Sequence, residues 1–216
     1  MSEEIFSRVA QLGIVPVIAL ENAEAAIPLA DALIAGGLPV VEITFRTAAA
    51  AEAIRKIAQE RPQLIVGAGT VLTAANVDAA KSAGAAFAVA PGLNAQTLKH
   101  AQSVGLPFIP GIATPSDIEL GLSLGCQLLK FFPAEANGGI AMLEALSGPY
   151  KHTGLHFMPT GGVKPSNLES YLKLDTVAAV GGTWIAKKED LANGNWNEIR
   201  NRCQAARELV AKTRGK

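Results

Sequence analysis

The chain has 216 residues, enough for one large α/β domain or two small ones. Apolar residues make up 49% and charged residues 18%, which allows a sizeable core and argues against disorder. Nineteen basic residues cancel nineteen acidic ones and form no Lys/Arg cluster, so nothing points to nucleic acid; no segment approaches about 18 uninterrupted apolar residues, so a membrane span is not expected either. Cys126 and Cys203 carry no metal spacing and fit reduced thiols in a cytoplasmic protein better than a disulfide framework. Met1-Ser2-Glu3-Glu4 is acidic and lacks the apolar core of a signal peptide.

One pattern repeats along the chain. A helix near Ser2-Leu12 comes first. Strand Val15-Leu20 then precedes a helix near Ala23-Gly36, Val40-Phe45 precedes Ala48-Glu60, and Leu64-Thr70 precedes Ala74-Gly84. Phe87-Pro91 precedes Asn94-Gly105, Phe108-Ala113 precedes Pro115-Gly125, and Leu128-Ala134 precedes Ile140-Leu146. His156-Gly162 precedes Pro165-Leu172, and Val177-Ile185 precedes Asn195-Lys212. Gly36, Gly84, Gly105 and Gly125 each close a helical stretch, where a left-handed residue is wanted. Pro115 and Pro165 fall at first helical positions. Strands alternating with helices imply right-handed crossovers and a parallel sheet. Eight such units over residues 1–216 predict a single TIM-barrel domain of eight parallel strands and eight helices, with an extra N-terminal helix. The rival, a doubly wound open sheet, wants a glycine-rich turn after an early strand, and Leu20-Glu21-Asn22-Ala23 offers none.

In a barrel, chemistry collects at the C-terminal ends of the strands. On the second strand, Glu42, Thr44 and Arg46 share a face, opposite the apolar Val41, Ile43 and Phe45. Arg46 lies about 13 Å along an extended strand from Glu42, so a lysine on another strand is the better partner. Without such a site, Glu42 is a buried structural carboxylate with an ion-pair partner. The third strand ends Gly67-Ala68-Gly69-Thr70, where glycines permit close approach; Thr70 offers a hydroxyl, although Thr73 already suits the next helix cap. The fourth ends in the rigid turn Ala90-Pro91-Gly92.

The sixth strand carries Lys130 inside Leu128-Leu129-Lys130-Phe131-Phe132-Pro133-Ala134. Lysine is rarely buried without a reason. Leu128, Lys130 and Phe132 share a face, and desolvation there favours the neutral amine, a nucleophile that forms a Schiff base with a carbonyl. The alternative is a lysine at a strand end that reaches water or pairs with a carboxylate. The seventh and eighth strands end Thr160-Gly161-Gly162 and Gly181-Gly182-Thr183, where barrels build phosphate sites from exposed backbone N–H groups. Either Gly-Gly pair alone could be a tight turn. His100, His152 and His156 are scattered, Trp184 and Trp196 read as packing residues, and the last helix, with Arg200, Arg202, Arg207 and Glu208, reads as a solvated face. No His/Asp/Glu cluster has metal-ligand spacing, so neither metal nor cofactor is expected.

With these residues in place, the chain resembles the 2-keto-3-deoxy-6-phosphogluconate (KDPG) aldolases, which often also cleave 4-hydroxy-2-oxoglutarate (KHG). The resemblance covers nearly the whole chain. It rests on Val41-Glu42-Ile43-Thr44-Phe45-Arg46-Thr47, Gly67-Ala68-Gly69-Thr70-Val71, Ala90-Pro91-Gly92, Leu129-Lys130-Phe131-Phe132-Pro133-Ala134-Glu135, Pro159-Thr160-Gly161-Gly162-Val163 and Gly181-Gly182-Thr183-Trp184. It implies a class I aldolase on a homotrimeric TIM barrel, acting on a small keto acid without a cofactor. Lys130 would be the Schiff-base lysine and Glu42 the general acid/base. Arg46, Thr70, Pro91 and Phe132 would line the pyruvate end, and Thr160, Gly161, Gly162, Gly181, Gly182 and Thr183 the phosphate end. Family members more often carry serine at the position of Thr183, whose added methyl would tighten that pocket. An aldolase for the 6-phosphogalactonate analogue, a phosphate-binding isomerase barrel and a non-catalytic scaffold are the competing expectations.

Overall fold

A computed structural model describes residues 2–215. The chain opens with α1 (Ser2–Leu12), β1 (Ile14–Ile18), a short 3-10 turn, α2 (Ala26–Ala35), β2 (Val40–Thr44), α3 (Ala50–Glu60) and β3 (Ile65–Gly69). It continues through α4 (Ala74–Ser82), β4 (Phe87–Val89), α5 (Ala95–Ser103), β5 (Phe108–Ile109), β6 (Gly111–Ile112), α6 (Pro115–Ser123) and β7 (Leu128–Phe131). Next come α7 (Gly139–Ser147), a 3-10 turn (Gly148–Thr153), β8 (His156–Phe157), α8 (Pro165–Leu172), β9 (Val180–Gly182), α9 (Lys188–Asn193) and α10 (Trp196–Arg214). β1, β2, β3 and β7 are buried along their whole length, as expected for parallel strands covered on both faces.

All strand pairings are parallel. Six strands run in the order β5-β4-β3-β2-β1-β9, and three in the order β6-β7-β8. This α/β arrangement of curled parallel sheets departs from the eight unbroken strands expected. The fifth is split at Pro110, which has no N–H to give to a ladder. The seventh and eighth shrink to His156–Phe157 and Val180–Gly182 and meet through isolated parallel bridges, Phe157 to Val177 and Thr160 to Gly181. α9 was not expected; its six residues are too few and too polar to show a helical apolar stripe.

The caps are local chemistry. Thr73 Oγ1 accepts the Asn76 N–H at 3.1 Å, and Thr114 with Asp117 forms a capping box ahead of Pro115. Gly84, Gly105 and Gly125 take the expected left-handed conformation, with φ of 90°, 67° and 79°. Gly36 does not. Its φ is −83°, and the left-handed residue is Gly37 at 72°. Gly36 is there for room, because a Cβ would collide with the Cβ of Cys203 on α10. The last helix is not the wholly solvated face expected: Arg202 and Arg207 are partly buried and donate to Ile185 O and to Gln11 O and Leu12 O.

Candidate active site

β2 and β7 place two charged side chains inside the fold. Glu42 aligns with Val17 of β1 and Gly67 of β3, and Lys130 with Gly111 of β6. Glu42 is 0% exposed and Lys130 5% exposed. Lys130 Nζ donates to Glu42 Oε1 at 3.3 Å, joining residues 88 apart in sequence. The other carboxylate oxygen, Glu42 Oε2, is buried with no hydrogen-bond partner among the described residues. Buried polar atoms are nearly always satisfied, so this oxygen asks for an explanation. The strand beside it makes the space: a Cβ on Gly69 would sit 2.7 Å from Glu42 Cγ and closer still to Oε1. Phe132 lies one residue past the end of β7, and its ring centroid is 5.4 Å from Lys130 Nζ.

The remaining expected site residues stand at the C-terminal ends of their strands. Arg46, just past β2, is exposed and in no ion pair among the described residues; its Nε donates to Thr44 Oγ1 at 3.2 Å. Thr44 itself is 1% exposed; the sequence places it on the face of Glu42 and Arg46 but gives it no role. Thr70 follows β3 with φ of 56°, the only positive φ at a non-glycine residue among those described. A threonine in the left-handed region costs on the order of 1–3 kcal/mol, and such strain collects at functional sites. Pro91 is crossed closely by the next segment, because a Cβ on Gly111 would collide with its carbonyl oxygen.

The two glycine pairs differ in kind. Gly161 and Gly162 have φ of 96° and 81°, and neither N–H has a hydrogen-bond acceptor among the described residues. Thr183, exposed at the end of β9, also has a free N–H in that sense. Gly181 instead spends its N–H on Pro159 O at 2.9 Å. Its contribution is the missing side chain, since a Cβ would run into Thr160, with Cγ2 2.8 Å away. Thr160 is 3% exposed and its hydroxyl donates to Met158 O at 3.4 Å. Gly182 gives its space to the ring of Trp184. His100 is spent on Asp78, 2.7 Å away, while His152 and His156 are exposed. No cluster of three or more His, Cys, Asp or Glu that could hold a metal occurs among the described residues.

Comparison with known proteins defines the class: this is an α/β enzyme among the aldehyde-lyases. The chain belongs to the KDPG and KHG aldolase family, whose model matches residues 5–202. It is 48% identical over 198 residues to the 2-dehydro-3-deoxy-phosphogluconate aldolase of Haemophilus influenzae, covering 92% of each chain. A solved KDPG aldolase from Legionella pneumophila, with pyruvate captured at low pH as a covalent carbinolamine intermediate, superposes with a TM-score of 0.89 at 41% identity, covering 95% of this chain and 98% of that one. The 2-keto-3-deoxy-6-phosphogluconate aldolase of Zymomonas mobilis ZM4 with 3-phosphoglycerate gives a TM-score of 0.84 at 41% identity, covering 93% and 94%.

Proposed function

We propose that this chain is a Schiff-base aldolase that cleaves 2-dehydro-3-deoxy-6-phosphogluconate to pyruvate and glyceraldehyde 3-phosphate, and 4-hydroxy-2-oxoglutarate to pyruvate and glyoxylate. The observation that carries it is the buried contact of Lys130 Nζ with Glu42 Oε1 at 3.3 Å. Lys130 Nζ adds to the C2 carbonyl of the keto acid, giving a carbinolamine that loses water to an iminium. Removal of the C4 hydroxyl proton sends the C3–C4 bonding pair to the iminium nitrogen, which releases the aldehyde and leaves an enamine. Protonation at C3 and hydrolysis return pyruvate and free Lys130. Glu42 moves these protons, and its unpartnered Oε2 is the oxygen available for that work. Arg46, with no ion pair of its own among the described residues, takes the substrate carboxylate through its planar fork. Thr70, Pro91 and Phe132 complete the pyruvate end. Thr160, Gly161, Gly162, Gly181, Gly182 and Thr183 build the phosphate end, with Gly161, Gly162 and Thr183 supplying free N–H donors. A single domain whose strands close into an eight-membered barrel ring, a homotrimeric assembly and a cytoplasmic setting belong to the same proposal. Continuity through Pro110 and the bridges from Phe157 and Thr160 to the β9 segment support the ring.

The test is covalent trapping. Borohydride added with pyruvate should inactivate the protein irreversibly and leave one reduced pyruvate adduct per chain, mapped to Lys130. Lys130→Ala should give no adduct while staying folded, and Lys130→Arg should be inactive because a guanidinium stays protonated. An adduct on another lysine, such as Lys164 or Lys187, or none at all, overturns the assignment.

A further inference from the structure

Glu135 has no role in the chemistry above, yet the chain is shaped around it. It lies in the turn that follows β7, five residues past Lys130. Its backbone N–H donates to Gly161 O at 3.0 Å, and the N–H of Ala134 donates to Thr160 O at 2.8 Å. A trans peptide unit points its C=O and its N–H in opposite directions. The unit joining Thr160 to Gly161 turns its carbonyl to the β7 turn, so the Gly161 N–H points away from it. The unit joining Gly161 to Gly162 does the same. Both free N–H groups therefore face the side of the loop opposite Glu135.

The Glu135 side chain braces the loop from behind. A Cβ on Gly162 would lie 2.6 Å from both Cβ and Cγ of Glu135, so the two residues are in close register. The carboxylate is itself fixed. Its Oε1 accepts from the hydroxyl of Tyr171, which sits on α8 at 0% exposure. Gly139 clears the space, since a Cβ there would lie 3.0 Å from Glu135 Oε1 and 3.4 Å from the Tyr171 oxygen. Burial, with the carboxylate beside it, pushes the Tyr171 phenol above its ordinary value, so it remains a donor through the physiological range. α8 begins at Pro165, three residues after Gly162, so the pair ties both ends of the loop to the segment that carries Lys130.

We propose that Glu135 and Tyr171 are a positioning pair that holds the Gly161 and Gly162 N–H groups aimed at the phosphoryl group of the substrate. The inference rests on the phosphate-site reading above and goes beyond it. The pair acts on binding of the phosphorylated end and leaves the imine chemistry alone. Its loss should raise KM for the phosphorylated substrate by about tenfold, the worth of one charge-assisted hydrogen bond.

Steady-state kinetics on KDPG and on unphosphorylated 4-hydroxy-2-oxoglutarate test this. Tyr171→Phe keeps the ring, and Glu135→Ala removes the acceptor. Each should raise KM for KDPG about tenfold, with kcat and both constants for 4-hydroxy-2-oxoglutarate within about twofold of wild type. Glu135→Gln keeps an acceptor oxygen and the shape and should restore most of the affinity. Competitive inhibition by inorganic phosphate should weaken in the same order. Equal damage to both substrates, a fall confined to kcat, or a glutamine variant as poor as the alanine one overturns the positioning role. Thr183→Asp, at an exposed position, separates the underlying reading. A selective loss of KDPG affinity in Thr183→Asp with no selectivity in Tyr171→Phe removes only the pair. No selectivity in Thr183→Asp removes the phosphate site, and the pair with it.

Discussion

The two carboxylate oxygens of Glu42 have different surroundings. Oε1 meets the lysine and Oε2 meets nothing in the described chain. A purely structural counter-ion would turn both oxygens to protein donors, and Glu42 turns only one. Glu42→Gln separates the two roles. The amide carbonyl still accepts from Lys130 Nζ, so the variant should fold with a Tm within a few degrees of wild type. The basic group is gone, so kcat should fall by roughly 10² to 10⁴. Single-turnover and steady-state rates on KDPG, beside a thermal melt, check both halves. A near-wild-type kcat would return Glu42 to the role of counter-ion. Lys130 and Glu42 were both legible in the sequence because each breaks an apolar run at one residue. Glu135 and Tyr171 were not. They lie 36 residues apart, and each alone reads as an ordinary surface acid and a core aromatic.

At the scale of elements, the alternation of strand and helix is written in the sequence because each period has its own punctuation. Signals such as the Thr73 cap and Pro115 at a first helical position are local and were readable. What failed was long-range. Gly36 does close α2 but not as the left-handed residue expected, and its small size answers to Cys203 on α10. Arg202 looked solvated because its partner, Asp190, lies on α9, an element with no sequence signal. The Arg202 guanidinium holds the Asp190 carboxyl below the usual carboxylate range, first by hydrogen bonding to it. A depressed folded-state value means the unfolded chain binds the proton more readily. The pair's stabilisation is therefore fully present above about pH 4 and declines as pH falls through the folded value. Arg202→Met should lower Tm by a few degrees at pH 7, and the gap to wild type should close below pH 4. Melting curves across pH 3–8 check this. A gap that stays constant with pH would assign the loss to packing of the arginine stem instead.

For the whole molecule, the alternation of parallel strands with helices was legible but the way the first and last helices are tied was not, because that depends on atoms about 200 residues apart. Arg214, in the last turn of α10, does this work. Its guanidinium donates to Ala10 O at 2.9 Å, to Ala178 O at 3.0 Å and to Val177 O at 2.8 Å. It thus ties α1 to the segment leading into β9, while Arg207 donates to Leu12 O at 2.6 Å. The guanidinium suits this because its donors lie in a fixed fork and it keeps its charge across the working pH range. It also lines a cavity of about 970 Å³ with Phe6, Gln127, Leu128 and His156. Leu128 and His156 begin β7 and β8, so this end is opposite the one bearing Arg46, Thr70 and Thr183. Arg214→Met keeps most of the apolar stem and leaves three carbonyls without their donor. The cost should be about 2 kcal/mol, since bonds to a charged donor are worth more than neutral ones. At this chain length that corresponds to a Tm lower by roughly 4–8 °C. The tie lies at the strand ends opposite those bearing Arg46, Thr70 and Thr183, so kcat and KM for KDPG at 25 °C should match wild type. Calorimetry with parallel kinetics checks the prediction. An unchanged Tm would mean that water serves the three carbonyls equally well, and a matching loss of kcat would mean that the two ends of the sheet are mechanically coupled.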